Sequence, residues 1–232
     1  MSLTLYYHPL ASFCHKVLIA LYENETPFTA ESVDLGNADA SARFLDLWPV
    51  GKIPVLRDDR LDRTLPETTI IIEHLDQHYP GARPLLPRDE AERLDARLWD
   101  RFFDLYVQVP MQKVVTDRLR SDGEHDPRGM ADARNSLATA YGMLERRMAD
   151  RTWAAGETFG LADCAAAPAL FYAGIIVPFS DTHPHVAAYF ERLVARPSFA
   201  RVLDEARPWF RYFPYVEAMP ARFLDGDRGQ ND

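Results

Sequence analysis

The chain has 232 residues, 47% of them apolar and 26% charged. That is ordinary globular composition, enough for one large domain or two modest ones, and it argues against a disordered chain. Asp and Glu (35) outnumber Lys and Arg (26), for a net charge of −9. This disfavours nucleic acid as a partner, because phosphate neutralisation needs a basic surface.

Leu3, Leu5 and Tyr7 alternate with Thr4, Tyr6 and His8, which predicts a strand that Pro9 ends. From Cys14 to Asn24 the apolar residues Cys14, Leu18, Leu21 and Tyr22 take helical spacing. Phe28–Leu35 reads as a second strand and Ser41–Leu47 as a short helix. Pro54–Arg57 reads as a third strand, closed by the turn signal Asp58-Asp59. Thr68, Ile72, Leu75 and Tyr79 return to helical spacing, and Pro80-Gly81 stops that helix.

The stretch PGARPLLPR (80–88) reads as a linker. It divides the chain into a first domain over 1–80, a linker over 81–90 and a second domain over 91–232. Every strong segment after it is helical. Leu94, Leu98, Phe102, Leu105 and Val109 form one apolar stripe, and Leu137, Tyr141, Leu144 and Met148 form another. Leu161–Ile175 is apolar almost all round, which predicts a central buried helix that Pro168 should bend. Two short helices follow, on Val186, Phe190 and Leu193 and then on Phe199, Val202 and Leu203. The polar tail, Phe223 to Asp232, is expected to fray.

Two cysteines, Cys14 and Cys164, cannot frame a disulfide scaffold. The opening MSLTLYYHPL lacks the basic and apolar regions of a signal peptide. The run Ala165 to Phe179 is shorter than a membrane span of about 20 residues. These features read as a cytoplasmic chain with no membrane partner. His74 and His78 share a helix face, but Glu73 precedes His74 and no third ligand is evident. Exposed helix histidines and no metal are expected. GxGxxG, GxxxxGK[ST] and GxSxG are all missing.

Four regions, in this order, resemble the glutathione transferase superfamily: LYYHPLASFCHKVLIAL (5–21), WPVGKIPVL (48–56), PETTIIIEHL (66–75), and the pair FGLADCAAAPAL (159–170) with HPHVAAYFERLVARPSFARVL (183–203). The resemblance covers roughly residues 3–207. It implies an α+β two-domain fold, with a thioredoxin-like N-terminal domain followed by an all-α-helical C-terminal domain. It also implies a homodimer, with the active site near the cleft between the domains. The implied activity is conjugation of the glutathione thiolate to a small hydrophobic electrophile. The same resemblance admits a glutathione-dependent thiol-disulfide oxidoreductase or isomerase, and a non-catalytic module binding glutathione or a protein.

Such chemistry requires an ionised thiol. A free thiol of pKa about 8.5 is only a few per cent thiolate at pH 7. Lowering that value by about two units takes about 2.7 kcal/mol of preferential thiolate stabilisation. A hydroxyl donor beside a helix N-terminus supplies part of it. Where many bacterial relatives place a serine, three residues before the cysteine, this chain has Ala11. Ser12 stands at the position used by another serine-type class, and also reads as a helix N-cap. Cys14, near a helix start, reads as a redox or glutathionylation centre or as a small buried side chain. Lys16 is expected at the surface, and Tyr7 is expected to pack inward.

The resemblance implies glutathione contacts at Lys52, Ile53, Pro54, Glu67 and Thr68, with Ile53-Pro54 cis. Glu67-Thr68 opens a helix, whose free N–H groups suit a carboxylate. Phe102, Tyr106 and Trp209 are candidates for an apolar substrate wall, with Phe103, Met111 and Phe210 beside them; each also reads as core. Asp163, three residues after Gly160, reads as half of a capping box and a folding residue.

Overall fold

The computed structural model describes residues 2–225. Four strands form one sheet in the order β2-β1-β3-β4: β1 (Leu3–Tyr7), β2 (Thr29–Ser32), β3 (Val55–Asp58) and β4 (Arg63–Leu65). β1 runs parallel to β2 and antiparallel to β3, and β3 is antiparallel to β4. Leu5 pairs with Leu56, and both are fully buried. Helices α1 (Ser12–Glu23), α2 (Ala38–Leu47) and α3 (Thr68–His78) complete this N-terminal part. β2 is an exposed edge strand, shorter than its apolar pattern. β4 has only three residues, too few to show a period.

The rest is helical. It comprises α4 (Glu90–Phe102), a π turn (Phe103–Gln108), α5 (Val109–Asp117), α6 (Pro127–Arg147), α7 (Leu161–Ile176), α8 (Pro184–Val194) and α9 (Pro197–Ala206). Two 3-10 turns (Arg207–Tyr212 and Val216–Ala218) and the short α10 (Ala221–Leu224) follow. α7 is the central buried helix, and Pro168 stands inside it without ending it. Its alanines, Ala162, Ala165, Ala166, Ala167, Ala169 and Ala173, are at most 2% exposed. Side chains this small let α1 and α4 pack close against it. Asp163 accepts hydrogen bonds from the Gly160 and Ala154 N–H groups, both at 2.9 Å, and from the Tyr189 hydroxyl at 2.5 Å. It tethers the start of α7, which is a folding role.

Five sequence expectations need correction. Leu94 and Leu98 are 70% and 61% exposed, so the first stripe does not face the core. The core face of α4 is instead Ala96, Trp99, Asp100 and Phe102, and the aspartate on it hid that face from an apolar pattern. Lys16 is 1% exposed and ion-paired with Asp100 at 2.6 Å and Asp104 at 2.8 Å. His74 is buried, with Nε2 2.9 Å from the Asp58 carboxylate, rather than solvated. Phe223 does not fray: it is buried, with its ring centroid 5.0 Å from that of Phe171. Ser12 is the first helical residue, and the N-cap is Ala11, which makes no side-chain cap. The remainder of the tail, from residue 226 on, lies outside the described residues. Among the described residues no helix is long and apolar enough to cross a membrane, and no cluster of His, Cys, Asp and Glu suits a metal ion.

Candidate active site

A cavity of about 250 Å³ lies where the loops of the sheet meet α4, the π turn and α5. Its sheet-side wall is Phe13, Trp48, Lys52, Ile53, Pro54, Pro66, Glu67 and Thr68. Its helical wall is Arg101, Asp104, Leu105, Val109 and Gln112. The structure therefore brings together all five of the residues singled out for glutathione contact.

Three features of the main chain make this cavity receptive. The Ile53-Pro54 bond is cis, and the Ile53 N–H and C=O have no hydrogen-bond partner among the described residues. Glu67 has φ of 67°, the left-handed region that non-glycine residues rarely adopt, and it makes no side-chain cap on α3. The first amides of α3, those of Thr68 and Thr69, make no internal bond, so they remain free for an anion. At the start of α1, likewise, the Ser12 and Phe13 amides have no internal partner among the described residues.

The thiol-activating candidates are placed differently from expectation. The Ser12 side chain is only 5% exposed and lies off the cavity lining; its hydroxyl accepts from the Gln108 amide. So held, the hydroxyl is engaged by Gln108 rather than placed in the cavity lining. Cys14 is fully buried, and burial pushes its thiol up to about 12. Burial thus favours the neutral thiol of Cys14 over its thiolate. Its neighbour His15 is also fully buried, pushed down to about 4 by burial, and donates from Nε2 to the Pro9 carbonyl at 2.5 Å. That bond pins the loop ahead of α1. Tyr7 is half-buried and packs against the core.

The candidates for an apolar wall lie apart from this cavity's lining. Phe102 packs in the core against Phe103 and Tyr106, with ring centroids at 5.8 Å and 5.5 Å. Tyr106 is 57% exposed, and Trp209 stacks edgewise on His8 at 5.2 Å. None of the three lines the cavity; Phe13, Trp48, Leu105 and Val109 supply its apolar surface.

One group of residues escaped the sequence reading. Beneath the cavity, Lys16 pairs with Asp100 and Asp104, Thr69 donates to Asp100 at 2.7 Å, and Arg101 donates to Asp104 at 3.0 Å. Burial, with Asp100 beside it, raises the Asp104 carboxyl above the usual range despite Lys16 and Arg101. Asp100, Asp104 and Gln108 recur every four residues, and that spacing was the available signal. A larger cleft of about 730 Å³ lies beside the linker; of its four acids, Asp95 and Asp163 are paired internally, with Arg147 and Tyr189, while Glu92 and Glu157 lie on its lining.

The glutathione S-transferase N-terminal domain family matches residues 5–83, and the glutathione S-transferase C-terminal domain family matches residues 104–197. The chain belongs to the glutathione S-transferase superfamily. It is 32% identical to FtsZ-localized protein A of Caulobacter vibrioides, over 88% of this chain and 92% of that protein. It is 27% identical to glutathione S-transferase GstB of Escherichia coli, over 81% of this chain and 91% of that one. A glutathione S-transferase of Methylobacterium radiotolerans, solved in complex with glutathione sulfonate, superposes with a TM-score of 0.73 at 27% identity, covering 86% of this chain and 93% of that one.

Proposed function

We propose that the chain binds glutathione in this cavity and presents its thiolate to a small apolar electrophile. The observation that carries this reading is the open main chain of Ile53 beside the uncapped start of α3, both in one cavity. The γ-glutamyl carboxylate then meets the Thr68 hydroxyl and the free α3 amides, and Glu67 accepts from the ammonium. The cysteinyl main chain lies along Ile53 next to Pro54, and Lys52 pairs with the glycyl carboxylate. The thiol faces the start of α1. With Ala11 supplying no hydroxyl, the Ser12 and Phe13 amides and the α1 dipole are left to stabilise the thiolate. We place the activity in the cytoplasm, where two unpaired thiols such as Cys14 and Cys164 persist.

The test is the ultraviolet thiolate absorbance of glutathione mixed with the protein and titrated from acid to alkaline pH. The expected midpoint lies about one unit below the free thiol's value of about 8.5. Binding with an unshifted midpoint would overturn the transferase reading. It would favour a non-catalytic binding module, a reading that Ala11 and the kinship with FtsZ-localized protein A both support.

A homodimer is proposed as well. Ile70 on α3 and Leu94 and Leu98 on α4 are 50%, 70% and 61% exposed, and Arg97 and Glu73 tie the two helices together beside them. Exposed apolar groups clustered on two adjacent helices fit an interface better than open water. Leu98→Glu is expected to turn a two-chain species into a one-chain species in sedimentation. A native protein that already sediments as one chain removes the proposal.

A further inference from the structure

Gln108 is the last residue of the π turn, 2% exposed, and its amide nitrogen donates to the Ser12 hydroxyl across the boundary between sheet and helical parts. Its carbonyl oxygen is buried with no partner. In an α-helix of about 3.6 residues per turn, side chains four apart drift steadily around the axis. A π turn, with its wider i→i+5 bonds, offsets that drift. Asp100, Asp104 and Gln108 therefore form one row along the helix. Ser12 and Lys16, four apart on α1, form the facing row, with Ser12 on Gln108 and Lys16 on the two carboxylates. The ion-paired end accounts for itself electrostatically. The Gln108 end is a neutral pair that ties down the first residue of α1, next to Phe13 in the cavity wall.

We propose that Gln108 is a positioning residue: through Ser12 it holds the first turn of α1 so that the Ser12 and Phe13 amides face the sulfur of bound glutathione. This rests on the glutathione reading above. It assigns to the Ser12 side chain the job of orienting its own main chain, not of touching the ligand. It also gives the π turn a purpose, since without it Gln108 would rotate away from Ser12. Lys16, Asp100 and Asp104 on the neighbouring turn are paired among themselves, and Cys14 and His15 are buried on the other side of α1, so none of them substitutes for Gln108.

The experiment compares the native protein with Gln108→Leu, Ser12→Ala, the double variant and Gln108→Glu. Glutathione affinity is read by calorimetry at acid pH, where the thiol stays protonated, and the bound thiol is then titrated by its ultraviolet absorbance. Each single variant is expected to raise the titration midpoint by about one pH unit, a roughly tenfold loss of thiolate at fixed pH. The double variant should do no worse than either single, because both remove one interaction. Affinity at acid pH should change by no more than about twofold, since the Ile53, Glu67 and Thr68 contacts are untouched. Gln108→Glu loses the amide donor and buries a carboxylate near the thiol, so it should raise the midpoint at least as far as Gln108→Leu. A merely structural Gln108 would lower thermal stability and leave the midpoint in place, and that result overturns the inference. If Gln108→Leu does not fold, Ser12→Ala carries the same test. A native protein that binds no glutathione overturns the underlying reading instead, and shows it in the first titration, before any variant is compared.

Discussion

Lys16→Ala is expected to destabilise the protein by about 3–5 kcal/mol, the usual result of removing one partner from a buried ion pair. The ammonium is 1% exposed, and the side chains of Asp100 and Asp104 are 0% and 6% exposed. Without it, two carboxylates face each other in a low-dielectric interior with only Thr69 and Arg101 to answer them. The sign of the pH effect follows. Asp104 already has a raised folded-state value, so protonation favours the folded state, and losing Lys16 raises that value further. The deficit of the variant should therefore shrink as pH falls from neutrality toward the carboxylate range. Urea unfolding of both proteins at neutral and mildly acid pH measures this. Equal stability at neutral pH would show that the pair contributes nothing. The triple change Lys16→Met, Asp100→Asn and Asp104→Asn should recover much of the loss, because the buried charges go together.

Glu67→Ala is expected to weaken glutathione binding by about 1.5–3 kcal/mol, the range of a hydrogen bond to a charged group. That corresponds to roughly a 10- to 150-fold rise in Kd. The residue sits at φ 67° before Thr68, a conformation that costs a non-glycine residue about 1–3 kcal/mol. Glycine would take it freely. Glu67→Gly should accordingly raise thermal stability while binding glutathione as poorly as the alanine variant. Such a split marks a residue kept for its ligand at the expense of the fold. An unchanged Kd in either variant would remove Glu67 from the site.

The order of elements was legible because most of them bury one regular face. β1 showed its period of two, and α7 its apolar circumference. The stripe on α6, where Leu137, Tyr141 and Leu144 are at most 1% exposed, was equally plain. α4 was misread because its solvent face is leucine-rich while its buried face carries Asp100, a charge that only a lysine far away in sequence makes tolerable. Lys16 was misread for the same reason, since periodicity cannot see a partner. The cavity's sheet-side wall could be read from the family pattern around Pro54 and Glu67. Its helical wall could not, because the π turn shifts the register at which side chains face the cleft, so Leu105 and Val109 stand where Phe102 and Tyr106 were expected. The contact between Ser12 and Gln108 was not legible, because nothing local in the sequence announces it.

The larger of two hydrophobic clusters spans both parts of the chain, while a smaller one holds Val33, Phe44 and Val55. The larger runs from Leu3, Leu5 and Leu56 of the sheet through Val17, Ile19 and Ile71 into Leu170 and Phe171 of α7 and on to Phe199. The proline-rich segment after α3 belongs to the same mass, since Leu85 and Leu86 are buried in it. The stretch that reads as a linker is thus anchored in the core at Leu85 and Leu86. Leu105 and Val109, on the helical wall of the cavity, keep about half of their surface exposed. Through the larger cluster, the sheet side and the helical side of the cavity are tied to one shared core.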